Sequence, residues 1–226
     1  MVNAAYCIRG TDHQAYFWSG TKFARVRYTP GANDNAILGP VGVRSEWKSL
    51  AEEDIGRVDA VCPVPGNKKR LYVFSGANYV KLEIDVKLET SPLKSKIDPS
   101  VETSVETGLR PITDGWKTLK RAGWDRIDAA MVVPGSETNI YFFQGKEWID
   151  VSWDDNLVSR GTIAESWPSL VQAEFETVDA ILDNYDGTYY VFSGDRYARI
   201  SMKEDNDTLM AGPFYIKDKW SSLSWV

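Results

Sequence analysis

Four residues recur at matched places along the chain: Asn3, Asp59, Asp128 and Asp179, spaced by 56, 69 and 51 residues. Each opens nearly the same phrase: Asn3-Ala4-Ala5, Asp59-Ala60-Val61, Asp128-Ala129-Ala130 and Asp179-Ala180-Ile181. Copies arranged around an axis would bring these positions together there. Other reactive types are scarce. His13 is the only histidine and sits in a turn beside Asp12. Cys7 and Cys62, the only cysteines, do not occupy matching positions and read as two free, buried thiols. There is no Cys–His pair at useful spacing, no histidine cluster and no glycine loop built to cradle phosphate, so no enzyme is expected. A basic residue recurs as Arg25, Lys81 and Arg199, but the third copy carries Asp150. That break speaks against a four-fold anion site. It favours pairing with acidic neighbours or with strand edges.

The elements that must position these residues are visible in the repeat. After each opening phrase comes an aromatic run closed by a turn: Tyr16-Phe17-Trp18-Ser19-Gly20, Tyr72-Val73-Phe74-Ser75-Gly76, Tyr141-Phe142-Phe143-Gln144-Gly145 and Tyr190-Val191-Phe192-Ser193-Gly194. Each reads as a strand and a hairpin turn. A third strand follows at Phe23–Val26, Tyr79–Leu82, Trp148–Val151 and Tyr197–Ile200. A weaker fourth is expected before Trp47, Trp116, Trp167 and Trp220, each followed by a Ser/Thr-Leu step able to form one helical turn. A period of about fifty residues means one supersecondary unit copied many times. Three or four antiparallel strands per copy, taken four times, predicts an all-β, four-bladed β-propeller forming one domain. The blades are expected at 1–53, 54–122, 123–173 and 174–226. An insertion at 84–110 is expected to leave the outer edge of blade two as an exposed, partly mobile excursion. The four recurring tryptophans are expected to pack between blades, leaving Trp18, Trp124, Trp153 and Trp225 as candidates for stacking on sugars.

The net charge of −6 disfavours nucleic acid and anionic membrane, which call for a basic face, and mildly favours metal ions or polyamines. No apolar run approaches the ~18 residues of a membrane-spanning helix. No room for a signal peptide precedes the first repeat, so a cytoplasmic location is expected.

The Asp-Ala-hydrophobic, Tyr-x-Phe-x-Gly and Tyr-x-Arg-hydrophobic series resembles the hemopexin-like repeat. Within that family the stretch from Tyr28 through Pro40, with Met210-Ala211-Gly212-Pro213 as an echo, is similar to the legume albumin-2 proteins. The resemblance implies a stand-alone four-bladed propeller whose first strands line a central channel. It implies a ring of backbone carbonyls at Asn3, Asp59, Asp128 and Asp179 suited to calcium. It also implies a second ring of backbone groups at Ala5, Val61, Ala130 and Ile181 suited to sodium or chloride. A carbonyl ring needs no carboxylate, so Asn3 is no defect. The alternative role for the aspartates is hydrogen bonding between neighbouring blades. Binding of haem, for which His13 is the candidate ligand, and of polyamines such as spermine at a mouth built by Asp59, Asp128 and Asp179 are further implications. So are a seed-storage role and a homodimer. A carbohydrate-binding lectin or haemagglutinin with a defence role, and a protein-interaction propeller, are the alternative functions.

Overall fold

The computed structural model describes residues 1–87, 100–203 and 206–226. They form four antiparallel four-stranded sheets, each built from strands consecutive in sequence. Blade one holds β1 (Ala4–Cys7), β2 (Gln14–Ser19), β3 (Lys22–Tyr28) and β4 (Asp34–Gly42). Blade two holds β5 (Ala60–Pro63), β6 (Arg70–Ser75), β7 (Asn78–Lys87) and β8 (Ser100–Pro111). Blade three holds β9 (Ala129–Val132), β10 (Ile140–Gln144), β11 (Glu147–Val151) and β12 (Leu157–Thr162). Blade four holds β13 (Ala180–Asp183), β14 (Thr188–Ser193), β15 (Arg196–Lys203) and β16 (Asn206–Tyr215). The innermost strands close the circle, β1 lying against β5 and β13, and β9 against the same two. This is the four-bladed propeller that the repeat predicts.

Local chemistry explains each blade. The turn between second and third strands has two residues and begins with Gly20, Gly76, Gly145 or Gly194, all at positive φ of 55–60°. That conformation suits a two-residue hairpin, and glycine adopts it without a Cβ clash. After the outer strand, two short helices flank each recurring tryptophan: α1 (Val43–Glu46) and α2 (Lys48–Glu52) around Trp47, then α3 (Ile112–Gly115) and α4 (Lys117–Arg121) around Trp116. Around Trp167 they are α5 (Ile163–Ser166) and α6 (Pro168–Gln172). Trp220 follows α7 (Ile216–Lys219) and leads into a 3-10 turn, Ser221–Leu223.

The core is split into four seams, one between each pair of neighbouring blades. Trp47 lies with Tyr16, Trp18 and Phe23 of blade one against Leu71, Val73 and Leu82 of blade two. Trp116, Trp167 and Trp220 do the same at the next three seams, the last joining blade four to Phe17, Ala24 and Tyr28 of blade one. Successive residues of an innermost strand therefore face different seams, Ala4 one and Ala5 the other, as strand alternation requires. The recurring tryptophans are inter-blade packing, as expected.

Two expectations need correction. Trp18 and Trp124 are buried, at 0% and 4% exposure, and no sugar can stack on them. Trp18 occupies the aromatic position shared by Phe74, Phe143 and Phe192. Trp124 takes the place of Ile55 and Phe175, each of which hydrogen-bonds through its amide to the leucine carbonyl five residues earlier. At the base of the insertion, β7 and β8 run on past the length of most of their counterparts. Residues 84–87 and 100–110 extend β7 and β8 as a regular ladder, with Ile84 opposite Thr103 and Lys87 opposite Ser100. The centre of the expected excursion, 88–99, lies outside the described residues.

Candidate functional site at the axis

Asn3, Asp59, Asp128 and Asp179 line one cavity of about 500 Å³ at the end of the axis where the innermost strands begin. Each immediately precedes its strand, and each amide donates to the second strand of the same blade: Asn3 to Trp18, Asp59 to Phe74, Asp128 to Phe143 and Asp179 to Phe192. Their side chains also turn inward to their own blades. Asn3 Oδ1 accepts from the Gly20 amide at 2.7 Å. The carboxylates of Asp59, Asp128 and Asp179 accept from Gly76, Gly145 and Gly194 at 2.7, 2.7 and 2.6 Å. The side chain thus staples the start of the blade to its hairpin turn, a task needing one acceptor oxygen. Asparagine serves as well as aspartate. The hydrogen-bonding role considered from sequence is real, but it runs within blades and not between them.

With the side chains so engaged, the backbone carbonyls of these four residues receive no donor from the described residues. Among the described residues no three carboxylate, thiol or imidazole groups gather to hold a metal. A cation at this mouth would therefore rest on carbonyl oxygens, which suit a hard ion. The mouth is less acidic than the aspartates alone suggest. Arg57 and Arg126 share it, and Arg57 pairs with Asp59. Burial raises the Asp179 carboxyl above its ordinary range; the Gly194 amide opposes that shift, and the nearby Asp128 charge adds to it.

Ala5, Val61, Ala130 and Ile181 occupy the second position of each innermost strand and are buried. His13 sits in the β1–β2 turn at positive φ, with Nδ1 3.3 Å from Asp12 and its ring edge-on to Tyr28. The repeated basic position diverges in every copy. Lys81 approaches Glu106 at 3.5 Å, whereas Asp150 is buried, accepts from Asn139 at 3.0 Å, and has its pKa raised by that burial. Cys7 and Cys62 are free and buried, as expected.

At the opposite end of the axis, Asp183 ends β13. Its carboxyl accepts from the Tyr185 amide at 2.7 Å. Burial pushes it up to about 6, against the opposing pull of that amide and of Arg9. Tyr185 is held at positive φ, donates its hydroxyl to the Cys7 carbonyl at 3.0 Å, and lies under the Arg9 guanidinium at 3.9 Å.

A second set of aspartates carries no repeat signal in the sequence. Asp34 accepts from the amides of Ser221 and Ser222 at 3.0 and 2.6 Å, capping the last helical turn from the neighbouring blade. Asp155 does so for Lys117 and Thr118, and Asp207 for Ser169. At the first seam a hydroxyl pair, Ser49 with Thr103 at 2.7 Å, stands instead. These residues sit at varying offsets around the fourth strand, which hides their equivalence in a linear alignment.

No family model matches the chain. The albumin-2 of Pisum sativum is 26% identical over 235 residues, covering 100% of this chain and 95% of that protein. The albumin-2 of Lathyrus sativus is 27% identical over 230 residues, covering 98% and 95%. The chain is similar to the legume albumin-2 proteins over its whole length and shares the four-bladed propeller of their hemopexin-fold neighbours. Solved structures share its fold across the full length. A plant albumin from Cicer arietinum showing hemagglutination superposes with a TM-score of 0.83 at 23% identity, covering 100% of this chain and 98% of that one. A plant lectin from the same species with two metal binding sites gives 0.82 at 24%, with the same coverage. A hemopexin fold protein from cow pea gives 0.82 at 23%, covering 100% and 97%.

Proposed function

We propose that this propeller is a non-enzymatic binding protein of the albumin-2 type whose axial mouth seats calcium on the carbonyl oxygens of Asn3, Asp59, Asp128 and Asp179. The observation that carries this reading is the convergence of four repeat-equivalent residues on one cavity, their side chains tied up and their carbonyls without a backbone donor among the described residues. A similar fold described as a lectin with two metal binding sites supports it. The ion would bridge four blades at once and stabilise the ring more than it would promote chemistry. Sodium or chloride would sit one step further along, beside the backbone groups of Ala5, Val61, Ala130 and Ile181. Thermal melting with calcium and with chelator tests the idea. A hundred-fold excess over the dissociation constant adds about 2.7 kcal/mol, several degrees in a domain of this size. Indifference to chelator on a calcium-loaded sample would remove the proposal.

Glycan binding is a second reading, supported by the hemagglutinating relative in fold and by Trp153. That residue is 62% exposed beside Asp154 and Asn156, whose side chains are already hydrogen-bonded together at 2.6 Å. A rigid polar turn next to an exposed indole suits a pyranose face. Agglutination that persists undiminished in Trp153→Ala counts against this assignment.

A further inference from the structure

The seam between blades four and one contains a cavity of about 250 Å³ that the axial reading leaves unexplained. Arg199 enters it, and its Nε is buried with no hydrogen-bond partner. The guanidinium presses against Gly31, where a Cβ would stand 3.2 Å from one terminal nitrogen. Asp34 lines the same cavity, but its oxygens are spent on the Ser221 and Ser222 amides. Lys219 is at the wall, with its ammonium 5.4 Å from the Phe214 ring. Two cations thus face one carboxylate that is already in use, a local positive excess in a protein of net charge −6. The neighbouring walls are the rings of Tyr190, Tyr197, Phe214 and Trp220.

A guanidinium nitrogen buried without a hydrogen-bond partner is costly, and a carboxylate is the group the planar fork matches best. Aromatic walls favour a flat ring or the apolar face of a sugar. The volume lies below the roughly 300–1,000 Å³ typical of drug-sized ligands, which limits the occupant to about one ring. We propose that this seam is a binding site for a small monoanionic ring carboxylate, with Arg199 holding the carboxylate, Lys219 at the side, and Tyr197 and Phe214 flanking the ring. The cavities at two other seams lack this combination. The one at the first seam contains Arg25 together with Glu46, and the one at the third contains no arginine or lysine. The proposal is independent of axial calcium and of agglutination.

Two sources share the chemistry, an acidic sugar and an aromatic acid. Calorimetric titration of the full chain with sodium glucuronate, benzoate and glucose separates them. Saturable binding of glucuronate alone assigns the sugar, and of benzoate alone the aromatic acid; binding of both leaves the ring carboxylate as the recognised unit. Glucose, which lacks the charge, should bind at least ~tenfold more weakly than glucuronate if the sugar is the source. Arg199→Gln should weaken the bound carboxylate at least ~tenfold without lowering the melting temperature. Should that variant fail to fold, Lys219→Gln carries the test, with a loss of about threefold expected. The proposal is overturned if neither carboxylate saturates by roughly 20 mM. It is equally overturned if glucose matches glucuronate, or if the folded variant binds as the parent does.

Discussion

Asp183→Asn should stabilise this protein at neutral pH and leave it unchanged in acid. The Asp183 carboxyl is pushed up to about 6 in the folded chain, chiefly by burial, from an ordinary 3.8. Between those values the folded form keeps a proton that the unfolded form has lost. Stability therefore falls as pH rises from about 4 to about 6, and the whole penalty is present above that. The difference corresponds to ~3 kcal/mol at neutral pH if taken at face value. Partial exposure and the added amide group, which needs its own partner, reduce the expected gain to about 2 kcal/mol, or 4–8 °C in a chain of this length. Asparagine keeps an oxygen for the Tyr185 amide and carries no charge, so it imitates the protonated carboxyl. Melting curves of parent and variant at about pH 4 and pH 7.5 make the comparison; Asp150 and Asp179, also raised by burial, titrate in both proteins and cancel. A gain of equal size at both pH values, or a variant less stable at neutral pH, would refute the reasoning.

Asp34→Ala removes two amide caps across the seam between blades four and one, and should cost about 2 kcal/mol in urea unfolding. A loss under about 0.5 kcal/mol would show the caps to be idle. Burial raises the Cys7 thiol to about 11 and shifts Cys62 upward too. At about pH 8 only ~0.1% of Cys7 is thiolate, so a disulfide reagent should label neither cysteine over minutes in the native protein and both in denaturant. Rapid native labelling would contradict their burial.

How much was legible in the sequence follows from what each residue answers to. The propeller could be read because strand, turn and tryptophan signals are local and recur in step, and every copy must solve the same packing problem. The axial positions could be aligned for the same reason. The direction of their side chains could not: the bond from Asp128 to the Gly145 amide spans a whole hairpin, and nothing in the letters says that the carboxylate is spent there. Trp18 and Trp124 do not recur as tryptophan, but size and burial, not identity, govern those two positions. Large apolar residues fill both positions in other copies. The Asp34, Asp155 and Asp207 caps act across blades at drifting offsets, so only three-dimensional proximity relates them. Arg199 looked like one member of a basic series until its neighbours showed that it alone enters an aromatic cavity beside a lysine.

The seam between blades four and one is the one that no linker crosses, and it is heavily fastened among the described residues. Besides the Asp34 caps, Tyr28 donates to Asn184 at 2.6 Å, the Gly31 amide to Tyr190 at 2.8 Å, and Tyr185 to Cys7 at 3.0 Å. These contacts join residues 156–188 positions apart, whereas every sheet is assembled from strands consecutive in the chain. Joining such distant segments carries an entropy cost of roughly 5 kcal/mol, met only when both halves of the clasp already exist. Blades must form first and the circle last. Until it closes, an open chain displays two complementary edges, and at high concentration the nearest mate for either is on another molecule. Refolding yield should therefore depend on dilution, with closed rings winning when chains are far apart and linked rings accumulating when they are crowded.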